Sequence, residues 1–189
     1  MTWTTPSTVV AGSTDLTASL WNEQVRDNLA NLRALANVQA TTLTSPLTLS
    51  SAVPDTYYDA TGLTVTITPT SASSKIRVMV DLSISLAGGS DAQGFFRVLR
   101  DSTPIGVGAA AGNRALSNKN FYEGNTYSEN SLSWNLIDSP NTTSAITYKL
   151  QYAKGSTALV LYLNRTGGDA NLIGQARSSS TIMVQEIPA

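Results

Sequence analysis

The chain has 189 residues, of which 13% are charged, and its 12 basic and 13 acidic side chains leave a formal net charge of −1. This charge balance provides no electrostatic basis for binding nucleic acid or an anionic membrane surface. The sequence contains no Cys and no His, which excludes a disulfide framework, a thiolate nucleophile and a Cys-containing zinc site, and removes the commonest general base. We therefore expect neither a cofactor nor a familiar catalytic triad.

The first residues lack the basic start and the apolar run of a secretory signal, and no stretch approaches the roughly 18 apolar residues of a membrane span. We expect no membrane insertion. Ser and Thr together account for 47 residues. Since Thr favours strands and Ser favours turns, this composition predicts a mainly β protein that forms one domain with small additions.

The N-terminal arm, residues 1–15, is polar and irregular, yet it contains Trp3, Val9 and Val10. A free molecule would bury these three side chains poorly. We expect the arm to become ordered when it docks on another surface; the alternative is a frayed chain end without function.

Residues 16–36 are predicted to form the single helix of the chain. Thr17 is the expected N-cap, and Leu16 with Trp21 is placed to form a hydrophobic staple. The helical spacing defines an apolar stripe made of Trp21, Val25, Leu29, Leu32, Leu35, Ala36 and Val38. Two interpretations remain open: the stripe packs on the β core of its own chain, or it forms a bundle with other copies. Two or three heptads are too few for an isolated coiled coil.

Residues 41–56, rich in Thr, Ser and Pro, are predicted to be an extended linker between a region at 1–40 and a β head at 57–189. Alternation of apolar and polar residues begins at Leu63 and continues from Ile76 to Leu86, which predicts long half-buried strands. Further strands are predicted at 94–100, 104–109, 131–137, 145–153, 157–163 and 180–187. Regular strands without intervening helices favour an antiparallel β-sandwich of the jelly-roll type.

Residues 110–125 lack the alternating strand pattern and are predicted to form a long loop. This loop is either functional or an irregular connection. Phe121 and Tyr122 lie among polar residues there. Aromatic rings next to hydrogen-bonding side chains are typical of surfaces that contact carbohydrate or protein. We therefore assign these two residues as a candidate surface-binding site.

A pair of acidic residues could cleave glycans. The candidates are Asp55, Asp59, Asp101, Glu123, Glu129, Asp138 and Asp169. Asp101, Asp138 and Asp169 lie in predicted turns, where Asp commonly bonds its own backbone, so a structural role is favoured. Asn141 and Asn164 begin formal glycosylation sequons that we expect to be inert. Glu186 falls on the same face of the predicted last strand as the apolar Ile182 and Val184. A charged residue on this face predicts a bulge, a strand end or an inter-chain partner for Arg or Lys.

Two parts of the chain resemble tailed-bacteriophage structural proteins. The first is "AGSTDLTASLWNEQVRDNLANL", residues 11–32, which is similar to a segment near the start of many such proteins. The matching residues are Leu16, Thr17, Ala18, Trp21, Asn22, Val25, Arg26, Asp27, Asn28 and Leu29. The second is the strand pattern in "SSKIRVMVDLSIS", "FFRVLRDSTPIGVG", "ITYKLQYA" and "SSTIMVQEI", which is similar to the β heads of phage fibre and appendage proteins.

This resemblance implies a virion component, made in the host bacterial cytoplasm, that is a homotrimer with a jelly-roll or TNF-like head. A short fibre, appendage or capsid decoration protein fits the length of the chain, and its position on capsid, portal or tail stays open. The residues implied in attachment and trimerisation are Trp3, Leu16, Trp21, Val25, Leu29 and Leu32. The expected partners are other copies, other virion proteins and a host surface glycan or protein. The alternative is a tail-associated glycan-cleaving enzyme.

Overall fold

The computed structural model describes residues 18–50, 53–88, 92–123 and 128–188. It begins with one helical segment, composed of α1 (Ala18–Trp21), a π-helical stretch (Asn22–Arg26) and α2 (Asp27–Leu35). The strands that follow are β1 (Val38–Leu43), β2 (Leu47–Leu49), β3 (Tyr58–Ile67), β4 (Lys75–Ala87), β5 (Ala92–Arg100), β6 (Thr103–Ile105), β7 (Lys119–Glu123), β8 (Asn130–Asp138), β9 (Ile146–Lys154), β10 (Val160–Leu163) and β11 (Ser180–Ile187).

The first sheet is built around β4, the longest strand. On one side of β4 lies β11 along the first half and β10 along the second half, and these strands pair in turn with β1 and β2. On the other side β4 pairs antiparallel with β8, from Ile76 opposite Asp138 to Ile84 opposite Asn130. This makes β8 one edge of the sheet.

The second sheet has the order β3, β9, β5, with β6 and β7 both pairing with β5. β7 pairs with the beginning of β5 and β6 with its end, so the two short strands share one edge. All the pairings in both sheets are antiparallel among the described residues.

The core lies between the two sheets. Alternate residues of β4 from Ile76 to Ile84 are at most 2% exposed, as the period of two in the sequence predicts. They pack against Phe96, Tyr148 and Leu150 of the second sheet within one continuous cluster. The alternation therefore sets which face of each strand is buried.

One side of the sandwich is closed by contact between β1 and β3. The hydroxyl of Thr41 donates a 2.8 Å hydrogen bond to the carbonyl of Thr64. Next to this contact, the register of β3 against β9 shifts between Asp59 and Thr64. Gly62 lies in the irregular stretch with φ of +93°, and a Cβ there would come within 2.8 Å of Leu43. A side chain at this position would be strained by the positive φ and would require the Leu43 side chain to shift.

The predicted fold class is confirmed: a mainly β chain with one N-terminal helix followed by an antiparallel two-sheet sandwich. Two local predictions need correction. Residues 41–56 are not simply a linker, because they include the end of β1 and all of β2, which bond to β11 and β10. Residues 110–125 are not wholly a loop, because 119–123 form β7 against β5.

Candidate functional site

The helix presents its large apolar side chains to the outside of the chain. Trp21, Leu29, Leu32 and Leu35, which we call the helix face, are 45–58% exposed. The buried positions of the same helix are Asn28, Asn31 and Ala34, at 2–7% exposure. Of the two interpretations left open, packing of the stripe on its own β core is therefore not what the structure shows, because the side of the helix turned inward is the one with two Asn and an Ala. Val25 is partly buried.

The helix face continues onto the outer surface of the first sheet. The side-chain amide of Gln185 donates a 3.5 Å hydrogen bond to the carbonyl of Leu35, at the helix end. Gln185 lies opposite Val38 on β1 and opposite Arg77 on β4, which in turn faces Ile137 on β8. Directly opposed residues share one face of a sheet, and Val38 and Ile137 are 40% and 51% exposed.

Glu186 holds the helix end against the sandwich. Its carboxylate is fully buried and accepts hydrogen bonds from the amide of Asn37 at 2.7 Å, and from the backbone N–H and hydroxyl of Thr70 at 2.8 and 2.7 Å. Asn37 also donates to the carbonyl of Thr68. Burial disfavours the charged carboxylate, but these donors outweigh it and keep the pKa of Glu186 below its ordinary value. Of the three alternatives for Glu186, the structure shows a strand end with partners in its own chain.

A second buried carboxylate joins the two sheets. Asp138, at the end of β8, accepts hydrogen bonds from Arg100 at 2.8 and 3.0 Å and from the Tyr148 hydroxyl at 2.7 Å. Burial and the bond to Asp138 raise the pKa of Tyr148 well above its ordinary value. Since Arg100 and Tyr148 belong to the second sheet, this cluster is a structural link.

Other acidic candidates have structural surroundings as well, and the side chain of Glu123 lies outside the described part of the structure. Asp59 accepts from Lys149 and Gln151, Asp169 forms ion pairs with Arg165 and Arg177, and Glu129 accepts from Ser178. Three of the Asp residues have positive φ, the conformation that Asp and Asn adopt in turns, namely Asp55, Asp101 and Asp169.

The structure separates the two residues of the predicted surface-binding pair. Phe121 is half-buried and packs against the core, whereas Tyr122, its neighbour on β7, is 54% exposed. Successive residues of a strand point to opposite sides, so only Tyr122 is available at the surface. The assignment of Phe121 as a surface contact is corrected to a packing residue, and binding by Tyr122 stays a prediction.

Four more residues singled out in the sequence have two different outcomes. Trp3, Leu16 and the Thr17 cap lie outside the described residues. The side chain of Asn164 is fully buried, donating to the carbonyls of Leu43 and Ser45 and accepting from Ser180, so its sequon is part of the core.

Sequence reasoning missed the connection between β10 and β11. Its tip exposes Leu172 at 64% and Ile173 at 107%, and the loop is braced by the ion pairs of Asp169 with Arg165 and Arg177. The sequence signal that could have revealed this exposed tip is a pair of large apolar residues among Gly, Asn and Asp.

Within the described ranges, no group of three or more acidic side chains is arranged to hold a metal ion. None of the helices described is long and apolar enough to cross a bilayer.

No protein-family model matches the sequence, and no curated protein matches it significantly. Among solved structures, a chain from the T13 particle of infectious bursal disease virus aligns with 80% of this chain at 16% identity and a TM-score of 0.41. A chain of the Gx strain of that virus aligns with 80% at 11% identity and a TM-score of 0.39. The chain spans 36% and 37% of the length of these two viral chains. At such TM-scores, neither their role nor their assembly is transferred to this chain.

Proposed function

We propose that the protein is a structural component of a bacteriophage particle. It is a homotrimeric fibre, appendage or capsid decoration protein that attaches through its N-terminal region and presents the β-sandwich outward. The head either binds a host surface or stabilises the particle. The observation that carries this proposal is the helix face: four large apolar side chains turned away from the core of their own chain.

The helix face supports association because each of its side chains is about half exposed to water. Burial of apolar area stabilises by about 25 cal/mol per Å², and neighbouring copies provide that burial. The helical segment of Ala18–Leu35 alone is too short for a stable isolated coiled coil. The adjoining sheet surface, with Val38 and Ile137, extends the same contact and supports three chains around one axis.

Assignment to a phage particle rests on the resemblance of residues 11–32 to N-terminal segments of tailed-phage structural proteins. Two of the matching residues of that segment, Trp21 and Leu29, belong to the helix face. The described residues bordering this face include Arg26, Asp27 and Arg33, which suit a polar rim. Capsid, portal or tail proteins are the expected attachment partners.

None of the described carboxylates supports the alternative function, a glycan-cleaving enzyme. Asp138 is engaged with Arg100 and Tyr148, and Glu186 with Asn37 and Thr70. A retaining or inverting glycosidase needs two carboxyl groups facing a shared substrate. The paired carboxylates therefore support a structural role.

The proposal is tested by locating the protein on purified particles. Mass spectrometry should detect it at a copy number divisible by three, and labelled antibody with low-resolution imaging should place it at one position on capsid or tail. Particles that lack the protein, or free protein that releases reducing sugar from host polysaccharide, would contradict the structural role.

A further inference from the structure

Arg97, on the outer face of the second sheet, is held in place without a carboxylate. Its neighbours on β5, Phe96 and Val98, are fully buried, so the Arg97 side chain points outward, where it is partly buried. Burial lowers the pKa of Arg97, and the charge interaction that opposes this comes from Tyr57, with no carboxylate of the described ranges contributing. The arginines that do pair with a carboxylate are Arg26, Arg100, Arg165 and Arg177.

Two contacts fix the orientation of the Arg97 guanidinium. Its Cζ lies 3.7 Å from the centre of the Tyr57 ring, and its Nε donates a 2.9 Å hydrogen bond to the side-chain oxygen of Gln151. Tyr57 is anchored in turn, because its hydroxyl donates to the carbonyl of Leu116 at 3.0 Å. The amide of Gln151 donates to Asp59 at 2.6 Å. The guanidinium is therefore oriented before a ligand arrives, which lowers the entropic cost of binding.

The two Nη atoms of Arg97 face solvent. Neither forms a hydrogen bond with the residues that the structure describes, and neither is buried. The Asp59 carboxylate nearby is engaged instead by Gln151 and Lys149. A guanidinium presents its donors in one plane, an arrangement that matches the two oxygens of a carboxylate. Arg97 is thus placed to anchor a carboxylate supplied by another molecule.

An aromatic ring lies on the same face, two residues before Arg97 on β5. Phe95 is partly exposed and lies opposite Ala153, a small residue of β9. A Cβ at Gly155 would lie 3.4 Å from the Phe95 ring. Since Gly155 has no side chain, this part of the ring stays uncovered.

The same face continues to Gln93 and Tyr122, which lie opposite each other on β5 and β7 and are both exposed. The distance along the strand from Gln93 to Arg97 is about 13 Å. Sugars present apolar ring faces that stack on aromatic side chains and hydroxyls that bond to amides. The length of this surface suits an oligosaccharide.

We infer that the outer face of the second sheet binds a saccharide that bears a carboxylate. The carboxylate bonds to the Nη atoms of Arg97, and a sugar ring stacks on Phe95. A single guanidinium matches the single charge of a carboxylate, whereas a phosphate monoester carries about 1.5–2 charges and three acceptor oxygens. The inference deepens the proposed host-surface role and rests on it for the source of the saccharide, an acidic polysaccharide of the host surface.

Titration calorimetry on the full chain tests this site with oligogalacturonides, which are short chains of a sugar acid. Their methyl esters are the matched probe, because they keep the sugar and lose the charge. The acid form should bind at least about tenfold more tightly than the ester, since the ester cannot accept charged hydrogen bonds from Arg97. Oligomers of glucuronate and of mannuronate give the same comparison for other sugar acids.

Variants of the chain assign the binding to named residues. Arg97→Gln should weaken binding of the acid form at least about tenfold. Arg97→Lys keeps the charge but loses the planar donors, and should weaken binding at least about fivefold. Phe95→Ala should weaken acid and ester equally, because stacking does not depend on the charge. The control is Lys75→Gln, which removes one exposed positive charge from β4 of the first sheet and should bind as the wild type does.

The contrary results are distinguishable. Equal binding of acid and ester, or binding unchanged by Arg97→Gln, would overturn the carboxylate site. If none of the three sugar acids binds at millimolar concentration, the saccharide itself is overturned. Binding of mannose 6-phosphate that depends on Arg97, in place of the sugar acids, would replace the carboxylate by a phosphate. The titrations use no particles, so these results leave the proposed virion role intact, while absence of the protein from particles would overturn that role and leave the measured binding standing.

Discussion

The side-chain amide of Asn37 donates a 2.7 Å hydrogen bond to the carboxylate of Glu186, and the backbone N–H of Glu186 donates one of 3.0 Å to the carbonyl of Asn37. This reciprocal pair joins the residue between helix and β1 to the last strand. The orientation of the helix relative to the sandwich therefore depends on one buried carboxylate.

Glu186→Gln should lower the free energy of unfolding by about 2 kcal/mol at pH 7, because bonds to a charged acceptor are stronger than neutral ones. Both carboxylate oxygens accept hydrogen bonds, so the new amide must face a donor. Urea unfolding measures the loss. Glu129→Gln, which removes a single exposed acceptor, is the control and should change stability by less than about 0.5 kcal/mol.

The effect of Glu186 should depend on pH. Its folded-state pKa is lowered from the ordinary value of 4.5, so the charged form stabilises the protein fully above that value. The contribution is lost as pH falls through the folded-state pKa. Unfolding curves from pH 7 to pH 2 should show the wild-type protein and Glu186→Gln converging in acid. A constant difference would show that Glu186 acts by packing alone.

Replacing Leu29 and Leu32 together by Ser should convert trimers to monomers at micromolar concentration, with the melting temperature of the head nearly unchanged. Both side chains are at least half exposed in the single chain, so their loss removes contacts between copies rather than core packing. Light scattering and calorimetry provide the two readouts.

The matched control for the helix face is Leu172→Ser with Ile173→Ser, a pair of equally large apolar residues that is exposed elsewhere. This variant should remain a trimer. If the loop variant dissociates and the helix variant does not, the trimer contact lies at the loop tip.

Phe121→Ala and Tyr122→Ala should behave differently although the residues are neighbours. Phe121 packs against the core, so its truncation should cost about 2 kcal/mol and lower the melting temperature. Tyr122 is 54% exposed, and its truncation should leave the melting temperature unchanged. If Tyr122 contacts the host, its loss should weaken adsorption of particles to cells; unaltered adsorption would remove it from the binding surface.

Asn164→Ala should cost about 3 kcal/mol, measured by urea unfolding. The residue has φ of 61°, and its side chain makes three buried hydrogen bonds, each worth about 1 kcal/mol. Asn141→Ala is the control because Asn141 has a similar φ of 54° at an exposed position. It should cost only the backbone strain, about 1 kcal/mol. Equal losses would show that the buried hydrogen bonds contribute nothing net.

The amino-acid sequence determined the class of fold and the two faces of its long strands. Alternating apolar residues from Ile76 to Leu86 are sufficient for this, because side chains of a strand alternate between core and solvent whatever the neighbouring strand is. A helix at 16–36 was likewise predicted from local spacing, and the described helical segment runs from Ala18 to Leu35. The turn roles of Asp55 and Asp101 follow from local conformation too.

Only the tertiary structure decided where these elements meet. The strands β1 and β2 have only six and three residues, too few for a pattern of their own to define them, and they pair with β11 and β10. Glu186 is a carboxylate at a buried position of its strand, and the sequence pattern could not explain it because its partners, Asn37 and Thr70, are more than a hundred residues away in sequence. The apolar stripe of the helix was visible in the sequence, but the surface it packs on was not. An apolar stripe can pack on the core of its own chain or on another copy equally well. The burial of Asn28 and Ala34 in place of Leu29 and Leu32 excludes packing of the stripe on its own core, and association with another copy stays a prediction.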